Sequence, residues 1–152
     1  MDLGLSGRVA IVTGSSGGIG KAIAHVLAEE GAKVTICARD EAPLRIAKRE
    51  IETSTGAEVL GIKADLTHVD DIRMLVIETH NTFGRIDVLV NNTGGPPSKS
   101  FLATSEEDWR RTFDQLFMSV VFACREVVPY MKKSRWGRII NMNSIAGKQP
   151  VE

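Results

Sequence analysis

Charge of one sign is the first thing this sequence lacks. Its 152 residues carry 19 Lys and Arg against 19 Asp and Glu, so no surface field of one sign draws it to nucleic acid or an anionic membrane. Cysteine is nearly absent. Cys37 and Cys124 share no metal-ligand spacing and stand among apolar neighbours, which excludes a zinc framework or disulfide scaffold and fits buried thiols in a reducing compartment. No apolar run approaches a membrane span, and the opening MDLGLSGR has neither the basic start nor the apolar segment of a signal peptide. Internal repeats, linkers and low-complexity stretches are missing too. The expectation is a cytoplasmic protein that handles small molecules, with no nucleic acid, membrane or metal partner.

What is present is alternation. At 43% hydrophobic residues the chain suits one globular domain over 1–152, and short β-branched runs alternate with longer stretches of helical period, the pattern of βαβ units. Strands are predicted over 8–14, 33–38, 58–65, 85–92 and 137–144. Their nearly continuous apolar centres suit a parallel sheet buried on both faces. Between them, Ile19, Ala22, Ile23, Val26 and Leu27 form one helical stripe, Leu44, Ala47 and Ile51 a second within 42–55, and Val69, Ile72, Leu75, Val76 and Phe83 a third. After a loop at 93–103, broken by two glycines and two prolines, a long helix over 105–133 is expected, capped by Thr104 with Glu107. The fold class is α/β: a Rossmann-like parallel sheet flanked by helices and incomplete after its fifth strand.

The segment TGSSGGIG joins the first strand to the first helix. Residues without side chains let backbone approach a diphosphate, and free amides at a helix N-terminus face its charge. The candidate cofactor residues here are Gly14, Ser15, Ser16, Gly18, Ile19 and Gly20. A tight turn with no ligand is the alternative, but a buried strand before it and an amphipathic helix after it are the context a dinucleotide site requires. Ala38 and Arg39 end the second strand, where an acidic residue would hold the ribose hydroxyls of NAD. Arginine cannot accept from a hydroxyl, whereas its planar fork matches a 2′-phosphate, which favours NADP over NAD. The other reading of Arg39 is a solvated residue beside Asp40.

Thr13-Gly14 with Gly18 and Gly20, Asp65 after the third strand, NNTG at 91–94 and Ser144 after the fifth strand, in that order, resemble the short-chain dehydrogenase/reductase family, in which alanine is more usual at Thr93. The resemblance runs over essentially the whole chain. It implies an oxidoreductase that moves hydride between a nicotinamide and a small carbonyl or alcohol substrate. Asp65 and Leu66 would then border the adenine, and Asn92 and Gly94 would support the crevice beside a cofactor ribose. Ser144 would be catalytic, donating a hydrogen bond to the substrate oxygen as it becomes alkoxide-like. Read without the resemblance, Asp65 is a turn former, Asn92 satisfies a strand end and Ser144 is a helix cap.

Two departures qualify the resemblance. The family's Tyr-x-x-x-Lys pair, in which a lysine ammonium lowers the tyrosine pKa, would fall beyond Glu152. The sole tyrosine, Tyr130 in VVPYMKKS, has lysines close by in sequence but none at the motif's four-residue spacing, and is not promoted to a catalyst. Leu116 stands where the family usually carries an asparagine, with Asp114 and Gln115 expected to point elsewhere on a regular helix. The fifth strand's outer edge and part of the long helix's stripe would lie uncovered. The chain therefore reads as the cofactor-binding part of a larger domain, one that pairs into a homo-oligomer through 105–133. A dinucleotide-binding module without turnover is the competing reading.

Overall fold

The computed structural model describes residues 3–95 and 98–145; Pro96 and Pro97 of the expected loop lie outside them. Five strands form one parallel sheet in the order β3-β2-β1-β4-β5: β1 is Val9–Val12, β2 Lys33–Ala38, β3 Val59–Lys63, β4 Val88–Asn91 and β5 Arg138–Asn141. Each lies within its predicted run, because the flanking residues turn away to start loops. Helices α1 (Gly18–Glu29), α2 (Glu41–Thr55) and α3 (Val69–Phe83) connect them. The fold is Rossmann-like, as expected.

Successive strand residues face opposite sides, so the sheet builds two cores. Ala10, Val12, Val34 and Ile36 pack with Ala24 and Ala28 of α1 and with Leu44, Ala47 and Ile51 of α2. On the other face Ile11, Cys37 and Leu89 pack with Ile72, Leu75 and Val76 of α3 and with Ala123, Val127 and Met131. Asp87 fixes the opposite end of the sheet. Its buried carboxylate accepts from Arg8 Nη1 (3.1 Å), the Val9 amide (2.9 Å) and Arg85 Nε (2.6 Å) and Nη2 (2.7 Å). Burial alone would raise its pKa; the hydrogen bonds from Arg85 and Val9 and the charge of Arg85 outweigh that and hold it below the usual carboxylate value.

The long helix differs from expectation. It is α4 (Glu106–Phe113), then a π-helical turn over Asp114–Met118, then α5 (Ser119–Ser134). Its cap is Ser105 with Asp108, not Thr104 with Glu107: Ser105 Oγ accepts from the Asp108 amide at 3.1 Å, and Asp108 Oδ2 accepts from the Ser105 amide at 3.1 Å. Thr104 is spent one turn earlier, where its hydroxyl donates to the Ser100 carbonyl at 2.8 Å. Only α5 buries its stripe; Trp109, Phe113 and Phe117 are more than half exposed.

Candidate functional site

The chain runs from β1 outward through β2 and β3, then crosses back to place β4 on β1's other side. In such sheets the strand ends splay at that reversal, leaving a crevice above their carboxyl ends. A cleft of about 250 Å3 opens there. Gly14 and Ser16 line it from the turn after β1, Arg39 from the end of β2, Asp65 and Leu66 from the end of β3, and Gly94 from the segment after β4.

The turn after β1 is locked to β4. Thr13 Oγ1 donates to the Asn92 carbonyl (3.0 Å) and accepts from the Asn92 amide (2.9 Å). The Asn92 side chain donates through Nδ2 to the carbonyls of Thr13 (3.2 Å) and Gly14 (3.0 Å). That clamp leaves no room for side chains. Gly14 has φ +58, and a Cβ there would sit 2.4 Å from the Asn92 carbonyl oxygen; one on Gly20 would sit 2.4 Å from the Gly14 carbonyl oxygen. Ser15 does not face the cleft. It is buried, donating to the Val12 carbonyl (2.6 Å) and accepting from the Cys37 amide (3.0 Å), so it staples the turn to β2.

At the start of α1, Gly17 provides no side-chain cap, and apart from adjoining backbone nothing lies within 4 Å of where a Cβ on Gly17 or Gly18 would be. The first amides of a full-length helix thus meet open space beside Gly14 and Ser16, with exposed Ile19 on the same first turn. This suits a diphosphate. Arg39 and Asp65 line the same cleft. Asp65 Oδ1 accepts from the Thr67 amide (3.0 Å) and hydroxyl (2.7 Å). Burial pushes its pKa up, but those bonds, with the charges of His68 and Arg39, bring it below the ordinary value. It is an acceptor at neutral pH. Cys37, also on the cleft wall, is no nucleophile: burial pushes its thiol up to about 12 against a weaker lowering by the Gly14 backbone. Among the described residues no three His, Cys, Asp or Glu side chains cluster to hold a metal ion.

Ser144 is not brought into this cleft. It lies exposed beyond β5, its amide donating to Asn143 Oδ1 at 2.8 Å. Below it, Asn91 Nδ2 donates to Asn141 Oδ1 at 2.8 Å, and the Met142 amide donates to the Asn91 carbonyl at 2.9 Å, so the segment leading to Ser144 is tied to the end of β4. Tyr130 is remote, its ring 4.6 Å from that of His80 on α3. Sequence reasoning missed Gln115, which it expected to point elsewhere. The wide turn brings its side chain to the cleft, where Nε2 donates to the Gly94 carbonyl at 3.3 Å. A hydrophobic pattern read at 3.6 residues per turn contains no signal for that extra residue.

Known proteins resemble this chain in sequence and fold. An uncharacterized oxidoreductase of Staphylococcus saprophyticus is 36% identical over 142 residues, covering 92% of this chain and 56% of its own. The crystal structure of L-sorbose reductase from Gluconobacter frateurii, complexed with NADPH and L-sorbose, superposes with a TM-score of 0.95 at 36% identity, covering 99% of this chain and 57% of that one. A metagenomic short-chain oxidoreductase in complex with NADP superposes at 0.88 with 39% identity, covering 97% and 66%. The chain thus spans little more than half the length of the first two. The family model described as short chain dehydrogenase matches residues 8–152. A match that begins at the first strand and takes in the clamp, the cleft and β5 makes this chain a member of the short-chain dehydrogenase family.

Proposed function

We propose that this chain binds NADP(H) in the cleft and forms the cofactor-binding part of a longer oxidoreductase that interconverts a small carbonyl compound and its alcohol. The observation that carries the reading is that the turn leading into the uncapped α1 N-terminus and Arg39 line one crevice: amides that suit a diphosphate follow Gly14 and Ser16, and a guanidinium fork that suits a 2′-phosphate shares the same cleft. Neighbours solved with NADPH and NADP support that choice of cofactor. Asp65 accepts from the adenine amino group, Leu66 lies against the ring, and Gly94 with the Thr13–Asn92 clamp shapes the ribose wall.

The chemistry supplied by the bound nicotinamide is hydride exchange with the carbonyl carbon. Ser144 then donates a hydrogen bond to the carbonyl oxygen, where negative charge grows. With Tyr130 packed on His80, the proton donor is assigned to a Tyr-x-x-x-Lys segment beyond residue 152. Exposed Trp109, Phe113 and Phe117 form the face through which the long helix pairs with a second copy. Free Cys37 and Cys124 fit a reducing cytoplasm.

Two titrations test this. NADPH is expected to bind the full chain more tightly than NADH, and NADPH oxidation is expected with one or more members of a carbonyl panel. The position of Ser144 outside the cleft favours a second reading, a binding module without turnover: NADPH binding with no oxidation across the panel would establish it. Failure to bind either dinucleotide would overturn both.

A further inference from the structure

Gln115 has no role in the reading above, yet the fold spends an irregular turn on it. The π-helical stretch Asp114–Met118 adds a residue to one turn of an otherwise α-helical rod, and such insertions concentrate at functional sites. Here it delivers a half-buried amide to the cleft. Two further hollows, of about 280 and 410 Å3, adjoin, and only Arg39 and Gln115 line all three spaces. Arg39 comes from the end of β2 and Gln115 from the helix beyond β4, so between them they bound the cleft from both sides of the sheet reversal.

The amide's two ends are differently committed. Nε2 donates to the Gly94 carbonyl at 3.3 Å and is close enough that a Cβ on Gly94 would meet it at 3.2 Å. Oε1 accepts no hydrogen bond from any described residue, and an amide oxygen can accept two. Asp65 and Thr67 share the neighbouring hollow with Gln115, whereas Ser144 borders none of these spaces. Gln115 therefore borders the side of the cleft shared with Asp65, and Ser144 does not.

We infer that Gln115 positions the adenosine half of the cofactor: Nε2 holds the turn at Gly94 in place, and Oε1 accepts from a hydrogen-bond donor of the nucleoside, either the 6-amino group or a ribose hydroxyl. This rests on the dinucleotide reading, and the test separates the two. Using the full chain, wild type, Gln115→Leu and Gln115→Glu are titrated with NADPH, with 2′-phospho-ADP-ribose, which lacks the nicotinamide, and with the hypoxanthine analogue of NADPH, which lacks the 6-amino group. Thermal midpoints and, where turnover is present, kcat are measured alongside.

The Leu variant is expected to lose about tenfold in affinity for both NADPH and 2′-phospho-ADP-ribose, with kcat at saturating cofactor and the thermal midpoint unchanged. A structural role alone would move the midpoint and spare that split. The Glu variant keeps an acceptor but cannot donate to Gly94, and is expected to weaken both ligands as well. If Leu weakens NADPH more than the hypoxanthine analogue, the donor is the 6-amino group; equal weakening assigns a ribose hydroxyl. Unchanged affinity of both variants for 2′-phospho-ADP-ribose, with wild type binding normally, would overturn the inference while leaving the proposed function standing. A wild type that binds none of the three would overturn both.

Discussion

The two edge strands of the sheet have different surroundings. β3 is flanked by α2 and α3, and Val59 and Ile62 are buried. On β5, from Arg138 to Asn141, every residue is exposed, with Ile139 and Ile140 at 38% and 46%. Both are short parallel strands with apolar residues at alternate or adjacent positions. The difference is what lies over them. The β3–β2–β1–β4 portion has helices on both faces, and the residues after its strands line most of the cleft, while β5 leads to Ser144 and has exposed apolar side chains. The cleft proposed for the cofactor thus belongs to the covered portion, and Ser144 to the exposed edge.

Substitutions can break or sharpen that contrast. Ile36→Ala removes a fully buried side chain from the centre of the built half and is expected to lower unfolding free energy by about 3 to 4 kcal/mol in urea denaturation. Asp87→Ala should cost about 3 kcal/mol, because it strands the Val9 amide and separates Arg8 and Arg85 from their shared carboxylate. The same group predicts a pH dependence. Its folded pKa is depressed, so its stabilisation is complete above the unfolded value of about 3.9 and is lost as pH falls through the folded one. Urea midpoints followed from pH 7 downward should fall in wild type and converge on those of Asp87→Asn.

A third substitution probes selectivity rather than stability. Arg39→Asp should lower the NADPH-to-NADH affinity ratio by about tenfold or more, roughly 1.4 kcal/mol, without moving the urea midpoint; an unchanged ratio would remove Arg39 as the 2′-phosphate contact. The smallest effect belongs to the bare edge. Ile140→Ala is expected to cost about 1 kcal/mol or less. A cost matching that of Ile36→Ala would mean that β5 is covered in solution, and the contrast between the two edges would vanish.

The strands, the first three connecting helices and the glycine turn were legible in the sequence because each depends on local signals: continuous apolar runs, stripes at three and four residues, and glycines at one junction. So was the grouping of Gly14, Ser16, Arg39, Asp65, Leu66 and Gly94, since parallel strands bring their following residues to one end. The inward orientation of Ser15 was not legible, because it is decided by a hydrogen bond to β2 made 22 residues away. Gln115 was hidden for a different reason: periodicity assumes one residue count per turn, and the π turn changes it. The cap moved by one residue because Ser-x-x-Asp and Thr-x-x-Glu overlap in the same five residues, and only the fold of the preceding turn chooses between them.

The clamp between Thr13 and Asn92 also bears on how the molecule is made. Those residues are separated by 79 positions, so the glycine turn, though encoded near the start of the chain, acquires its final shape only after α1, β2, α2, β3 and α3 have been synthesised and β4 has docked. On a ribosome adding about 5–20 residues per second, that leaves an interval of several seconds in which the nascent segment is present but the turn is unfinished. Completion of the turn is therefore a late, non-local event in folding, and the dinucleotide site proposed above exists only once the central strands have met.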